Sequence, residues 1–514
     1  MPSPVLGRAP GFYDRNAAET SAAAYVSSLL QRSMRRFGYI PVETPIVEYV
    51  DLFLTKSGDE AINRLFTFEM YGRQLCLRPE FTASAARLYI ERYQHEQKPI
   101  RWQFSGPIFR YEAPQRSHSR QFTMLGAELI GPSGVSGDAE MIGMAARGLF
   151  DAGLKDWSLV IGHVGLVGQL LDRFDLDRRT RRLLLGQIEN LRRADRGRAY
   201  VIEQLEQLYT KPNPLERLEE IAPGVASATP QTPENVSHVF ELLLESANLG
   251  TTGTGRSNED VARRLLAKQR RAEGRDEALR ALDFLEKLVQ IEGTPDEAFP
   301  ALERMLPADP AIRETGESLR ATLDLLPSYG LAREHTFLEM GLARGLNYYT
   351  GIVFEGHTSV GDSSSQLFGG GRYDDFIRIL GAAQDTPAIG FAYGLERILQ
   401  ELQRVDPQDT PPLVDVLVVP VDESDNAEAA RIAMLLRQRL NVELFTPPTR
   451  NLAQALAHAD RHRTPFVAIL GEAERQAGQI SVRDMRSKTQ SSLPLDDLNS
   501  VVERIIQEIE KTHE

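Results

Sequence analysis

Apolar residues recur at helical spacing through SAAAYVSSLLQRSMRRFG (21–38), which predicts a long amphipathic helix over 17–37 that stops at Gly38. The next stretch, GYIPVETPIVEYVDLF (38–53), mixes β-branched residues with Pro41 and Pro45. Proline cannot donate to a central ladder, so this reads as a strand at an edge or interface. Strand-like runs follow at 64–70, 73–79, 100–112 and 120–131, separated by short loops, the pattern of an antiparallel sheet. A helix over 137–154 and a strand over 157–163 come next.

From roughly 166 to 330 the pattern changes to Leu, Arg, Glu and Ala at helical spacing, broken by KPNP (211–214), PGVASATPQTP (223–233) and GTTGTG (250–255). This predicts a helical insertion. Strands resume at 335–356, and a glycine-rich turn leads into FGGGRYDDFIRIL (368–380); the helix after Gly390 ends near Arg404. VDPQDTPP (405–412) is a linker. VDVLVVPV (414–421) is a continuous apolar run, as expected of a strand buried on both faces, and alternating helices and strands follow it. A small α/β domain with a mostly parallel sheet is expected over 413–514. The domain plan is thus an α+β core in two parts, 1–165 and 331–404, interrupted by the insertion and joined by the linker to the C-terminal domain.

Composition narrows this picture. A chain of 514 residues is too long for one core, so two to four domains are expected. With 42% apolar and 25% charged residues it has the balance of an ordinary globular protein. No apolar run reaches the length of a membrane span, and MPSPVLGRAPGFYDRN lacks the apolar stretch of a secretory signal. Cys76, the single cysteine, reads as a buried strand residue. A soluble cytoplasmic protein is expected. The net charge of −13 does not announce a nucleic-acid binder, yet phosphate contact needs only a local basic surface. Two arginine-rich helical segments, 177–198 and 263–275, could supply one through Arg192, Arg193 and Arg196, or could be solvated faces.

Some motifs carry no chemistry. GTTGTG has no strand before it and no Lys-Ser/Thr after it, so it fails as a phosphate loop. His458 and His462 have metal-compatible spacing but no third ligand nearby, and read as a helical face. The stretch 100–131 differs. Arg110 and Glu112 share one strand face, Arg120 lies on the returning strand, and a polar loop joins them. Guanidinium and carboxylate groups on one sheet face are costly to desolvate unless a ligand pairs with them. Three further constellations stand apart: Arg344 with Asn347, Tyr348 and Tyr349; Gly369–Gly371 with Arg372 and Tyr373; and Gly394, Glu396 and Arg397 at a helix start, where backbone dipoles favour anions.

These motifs resemble those of the histidyl-tRNA synthetases, a class II family. FRYEAPQRSHSRQF (109–122) is similar to motif 2 within 100–131, GFAYGLER (390–397) to motif 3, and residues 20–50 with Pro45 to motif 1. LARGLNYYTG (342–351) and FGGGRYDDF (368–376) are similar to the two signatures peculiar to that family, LRPEFT (77–82) to a further pocket motif, and GEAERQAGQISVRDM (471–485) to the end of its anticodon-binding domain. The resemblance covers the chain outside about 166–330. It implies the class II antiparallel sheet flanked by helices and histidine activation by ATP, with Mg2+ accompanying the nucleotide, followed by transfer to tRNA(His).

The resemblance also implies roles. Arg110 would hold the α-phosphate, Arg397 the γ-phosphate, and Arg344 would act near the α-phosphate and the substrate carboxylate. Glu112 would contact adenine, and Arg120 would belong to the ATP site. Glu80 and Thr82 would bind the α-ammonium group; Glu128 and Tyr349 would read the two imidazole nitrogens; Tyr348, Tyr373 and Met124 would complete the histidine pocket. Gln115 and Arg116 would meet the tRNA acceptor end. Motif 1 implies a homodimer, and the C-terminal domain a reader of the anticodon.

Four positions depart from the family pattern. Met124 stands where a glutamine touches the amino acid, Phe81 where a glycine sits, His118 where a motif 2 arginine contacts ATP, and Asn347 in place of Asp. The N-terminal R-G-x-x-D pattern is blurred, at GRAPGFYD. Met124 and Phe81 make the pocket more apolar and smaller. A working ligase is the first reading. A non-charging paralogue similar to the regulatory subunit of ATP phosphoribosyltransferase, and a relative selecting another small amino acid, are the alternatives.

Overall fold

The computed structural model describes residues 7–54, 65–111, 119–193, 195–209, 274–342, 348–360, 363–405 and 413–495, with Glu503 and Ile506. Two compact units emerge: Met1–Asp14 with Val26–Val405, and Arg15–Tyr25 with Asp406–Glu514.

The larger unit is built on a nine-stranded sheet in the order β1-β5-β6-β12-β11-β10-β7-β9-β8. Its strands are β1 (Ile40–Pro41), β5 (Ile100–Phe109), β6 (Gln121–Ile130), β7 (Ser158–His163), β8 (Glu292–Gly293), β9 (Thr336–Glu339), β10 (Ile352–Val360), β11 (Ser363–Arg372) and β12 (Ala388–Gly394). The β1/β5 and β7/β9 pairs are parallel and the others antiparallel. A second sheet, β2-β4-β3, consists of β2 (Val47–Tyr49), β3 (Phe66–Met70) and β4 (Arg73–Leu77).

Helix α1 (Ala17–Arg36) ends where Gly38 takes a left-handed φ of +84°. The strand expected over 38–53 is broken: Pro41 ends the two-residue β1, β2 follows, and α2 (Val50–Leu54) completes the stretch. The strand expected over 335–356 is likewise two strands, β9 and β10, and residues 343–347 between them lie outside the described residues. Cys76 is buried in β4, where burial and the nearby Glu48 push its thiol up to about 12.

One face of the large sheet is apolar. Leu125, Ala127 and Leu129 of β6 and Ile389 and Tyr393 of β12 are at most 1% exposed. Helix α4 (Val135–Asp151) covers this face, and the Tyr393 hydroxyl donates to the main-chain oxygen of Ala145 at 2.6 Å. The Tyr393 ring leaves no room on α4: a Cβ at Gly148 would lie 2.1 Å from its hydroxyl. The other face carries Glu128 and the glycines of the same strands among apolar residues, and the short helix α3 (Thr82–Leu88) roofs one end of it.

The insertion is helical, with α5 (Val164–Leu171), α6 (Arg178–Gly186), α7 (Ile188–Arg192), α8 (Gly197–Tyr209), α9 (Arg275–Leu288), α10 (Pro295–Met305) and α11 (Pro310–Leu325) among the described residues. The breaks expected at 211–214, 223–233 and 250–255, and most of the basic segment 263–275, lie outside them. The insertion also contributes β8 to the edge of the sheet. After β11 come α12 (Phe376–Ile379) and, beyond β12, α13 (Leu395–Val405).

In the smaller unit the sheet order is β14-β13-β15-β16-β17, with strands β13 (Val416–Pro420), β14 (Val442–Leu444), β15 (Phe466–Leu470), β16 (Gln479–Asp484) and β17 (Gln490–Pro494). The apolar run of β13 is fully buried, covered by α14 (Asn426–Leu436) and α15 (Leu452–Arg461). Only its pairings with β14 and β15 are parallel. The sheet is therefore mixed rather than mostly parallel, because Gly478, at φ +62°, turns the chain into the antiparallel β16 and a hairpin brings back β17. Among the described residues no helix is long and apolar enough to cross a membrane.

Candidate active site

The chemistry gathers on this second face of the large sheet, at Glu128 of β6. This carboxyl is 1% exposed. Its Oε1 accepts from the Thr82 hydroxyl at 2.7 Å and its Oε2 from the Tyr373 hydroxyl at 2.5 Å. Burial pushes the acid up to about 8 against these two donors, and the nearby Glu80 adds to the rise. Glu128 fits because its neighbour is glycine: a Cβ at Gly390, its partner across the β6/β12 pair, would lie 1.7 Å from Oε2.

Glu80 sits at the entrance to α3, where its carboxylate accepts from the main-chain N–H groups of Thr82 (2.5 Å) and Ala83 (2.9 Å). Burial raises its pKa, and those amides and the Arg110 guanidinium oppose the rise. α3 begins with small residues, TASAA, so it can lie close on the sheet, with Ala83, Ser84, Ala85 and Ala86 buried.

An aromatic wall stands beside Glu128. The Tyr348 ring stacks on Phe376 (4.9 Å, 21°) and lies 4.7 Å from Tyr349 and 5.9 Å from Tyr373. The Tyr349 ring occupies the space a side chain would need at Gly371, 2.7 Å from a Cβ there. Met124 is half-buried on the same strand face as Glu128, against Phe81, Phe104 and Ile108. Phe81 is itself buried, stacked on Phe104 (4.4 Å, 13°), with the Arg78 guanidinium 4.1 Å from its ring. The two substitutions thus pack together as one apolar wall.

The cations follow. Arg110 donates from Nε to the Pro79 main-chain oxygen (2.9 Å), and its guanidinium lies 5.4 Å from the Phe122 ring. Arg120 lies over the Tyr111 ring at 4.1 Å and donates from Nη1 to Pro10 O at 3.0 Å. Pro10 and Gly11 thus hold the foot of the motif 2 strand, and Gly11, at φ +83°, has no space for a side chain because its Cβ would lie 2.7 Å from Arg120 Cδ. At the start of α13, Glu396 Oε1 accepts from Thr123 N (2.8 Å), and Arg397 donates from Nη1 to Gln366 O (3.0 Å). Arg344, Glu112, Gln115, Arg116, His118 and Asn347 lie outside the described residues.

Two arginine groups resolve differently. Arg372 is buried and structural: Nε donates to Asp138 Oδ1 at 2.8 Å, and Nη1 to Pro132 O at 3.1 Å and to Asp374 at 2.9 Å. This joins β11 to α4 and fixes the backbone that carries Tyr373. In the insertion Arg192 is tied to Glu292 and Glu339, Arg193 to Asp195, and Arg196 to Asn190. These internal partners favour the bland reading of the basic segment. In the smaller unit His458 pairs with Glu443 at 2.9 Å, and among the described residues no group of three acidic, His or Cys side chains could hold a metal.

Residues 11–243 and 235–398 match the sequence profile of the family described as histidyl-tRNA synthetase, and residues 415–505 that of the anticodon binding domain. The chain belongs to the histidyl-tRNA synthetase family. A histidine–tRNA ligase of Thermococcus kodakarensis is 30% identical over 502 residues, covering 95% of this chain and 96% of that one. One from Pyrococcus furiosus is also 30% identical, covering 96% and 98%. The fold matches the crystal structure of a histidyl-tRNA synthetase from Nostoc sp. with a TM-score of 0.66 at 21% identity, over 97% of this chain and 99% of that one.

Within this histidyl-tRNA synthetase fold, the structure brings Glu80, Thr82, Met124, Glu128, Tyr348, Tyr349 and Tyr373 together. It links Thr82 and Tyr373 directly to Glu128. The sequence reading missed Gly390, whose lack of a side chain makes room for Glu128. Gly390 opens GFAYGLER, but nothing in the sequence ties it to Glu128.

Proposed function

We propose that the protein activates histidine with ATP and ligates it to tRNA(His) through histidyl-adenylate. The observation that carries this is the buried Glu128, held between the Thr82 and Tyr373 hydroxyls beside an aromatic cluster. An imidazole presents two polar edges, and an acid with hydroxyl neighbours can satisfy a ring N–H where an apolar side chain would leave buried groups unpaired. Nothing in the comparisons favours the non-charging alternative, and the matched anticodon-binding domain suits the ligase.

In this reading the substrate carboxylate attacks the α-phosphorus, the bond to the bridging oxygen breaks, and pyrophosphate leaves. A terminal ribose hydroxyl of the tRNA then attacks the acyl carbon and releases AMP. Positioning and charge neutralisation do the work. Arg110 and Arg344 face the α-phosphate, Arg397 the γ-phosphate, Glu112 the adenine, and Arg120 supports the ATP site. Glu80 takes the α-ammonium group, Glu128 and Tyr349 the imidazole nitrogens, and Gln115 and Arg116 the acceptor end. Magnesium arrives as part of the nucleotide substrate. The protein acts in the cytoplasm as a homodimer; the exposed Ile40, Ile46, Val47, Tyr49 and Met70 of the segment around β1–β3 offer an apolar surface for a second copy.

Amino-acid-dependent exchange of labelled pyrophosphate into ATP, run with histidine and the other amino acids in parallel, tests the first step, and charging of tRNA(His) the second. Exchange with histidine alone, followed by charging, is expected. Exchange with another amino acid, or histidine binding without exchange, overturns the reading.

A further inference from the structure

A polar chain on β10 and β11 remains without a role. The cross-strand register Gly126–Ala392–Gly369–Glu355 places Glu355 on the same sheet face as Glu128. The register shifts immediately beyond it, between Gly356 and His357. Gly356 has no room for a side chain, since a Cβ would lie 2.1 Å from the Phe368 ring. The extra residue is Leu367 of β11, while on β10 Glu355 and His357 lie two apart, share one face and meet. Glu355 Oε2 is 2.8 Å from His357 Nε2, and Glu355 Oε1 accepts from Gln366 Nε2 at 2.7 Å.

The orientation of the Gln366 amide is what matters. A carboxylate accepts and cannot donate, so it holds the amide nitrogen and turns the amide oxygen away. That oxygen faces Arg397, whose Nη1 lies 3.5 Å from Oε1 and donates to the Gln366 main-chain oxygen at 3.0 Å. A guanidinium is a rigid planar fork, so fixing one of its nitrogens fixes the direction in which the others can donate. Both oxygens of Glu355 are occupied, one by Gln366 and one by His357, so the carboxylate is held in place.

We propose that Glu355 and His357, acting through Gln366, are positioning residues that set the guanidinium of Arg397 for the polyphosphate of ATP. This rests on the assignment of Arg397 to the ATP site. It adds that a carboxylate which never touches the nucleotide governs how well the nucleotide is held.

Histidine-dependent pyrophosphate exchange, with KM measured separately for ATP and histidine, tests it. Glu355→Gln, which lets the amide turn over, is expected to raise the KM for ATP about ten-fold while the KM for histidine and the melting temperature stay unchanged. His357→Gln, which keeps a donor, is expected to retain more ATP affinity than His357→Leu. In an Arg397→Gln background Glu355→Gln should add nothing, since residues acting through one another are not additive. Equal rises in both KM values, or an undiminished effect of Glu355→Gln in that background, overturn the proposal while leaving the ATP assignment standing. An unchanged KM for ATP in Arg397→Gln alone removes the assignment itself, and the proposal with it.

Discussion

Gly390 faces Glu128 across the β6/β12 pair, and the carboxylate occupies the space in which a side chain at 390 would stand. The buried acid is therefore accommodated by a missing Cβ on the neighbouring strand.

Gly390→Ala should displace Glu128 or distort the backbone near Ala127, whose oxygen would lie 2.9 Å from the new Cβ. Overpacking of this kind costs about 1–3 kcal/mol. Histidine-dependent exchange is expected to fall at least ten-fold, by analogy with other small displacements in active sites. A melting curve read alongside the exchange separates loss of the pocket from loss of the fold.

Glu128 predicts a pH signature. Its folded-state value of about 8 lies above the ordinary 4.5. The fold favours the protonated acid, so this group's stability contribution is intact below about pH 4.5 and is lost progressively as pH rises through about 8. Relative to Glu128→Gln, the protein should lose stability over that window, measured by denaturant titration at pH 5 and pH 9. Histidine bound by its ring N–H needs the carboxylate, so binding at pH 7 should release a proton. Calorimetry in buffers of differing ionisation enthalpy would detect it, and a buffer-independent enthalpy would count against it.

Tyr373→Phe removes one of the two hydroxyl donors that Glu128 receives. An unsatisfied buried acceptor costs about 1–3 kcal/mol, so stability should fall by that order and the KM for histidine should rise, with the KM for ATP little changed. Thermal melting and exchange kinetics check both parts.

Arg372→Met leaves Asp138 and Asp374 without their cation. Breaking a buried ion pair costs about 3–5 kcal/mol, whereas replacing both partners with apolar groups can be nearly neutral. The double variant Arg372→Met with Asp138→Leu should therefore recover part of the loss in a denaturant titration. No recovery would mean that the remaining contacts, to Asp374 and Pro132, carry the stability.

Gly11→Ala meets both a left-handed φ of +83° and the Arg120 side chain. It should weaken ATP binding with little effect on histidine, read as a change in the KM for ATP alone.

The placement of strands and helices along the chain was legible wherever hydrophobic period and turn residues agreed, as at α1, β5, β6 and α4. The residues that gather around Glu128 were singled out through resemblance, because the motifs carry them in short runs. Arg372 stood out only as part of a constellation with Gly369–Gly371 and Tyr373, and its structural role was not legible. Its partner Asp138 lies 234 positions away, and cross-chain pairing of that kind leaves no local signal. The antiparallel end of the C-terminal sheet was missed for a similar reason: QSSLP, the last strand, has too few apolar residues to announce itself, and it forms because Gln479–Arg483 offers it a ladder. The break at Pro41 follows from the missing donor of proline, but where the chain would resume was set by the second sheet, which period alone does not reveal.

The two-residue strand β8 has a consequence for how the chain can be shortened. Glu292 and Gly293 pair with β9, and Arg192 bridges Glu292 to Glu339 of that strand. The helices between the two halves of the core thus close the open side of the sheet. Excising them would turn β9 into a bare edge whose unpaired main-chain groups could recruit another molecule, so a minimal catalytic fragment is expected to self-associate unless that edge is blocked.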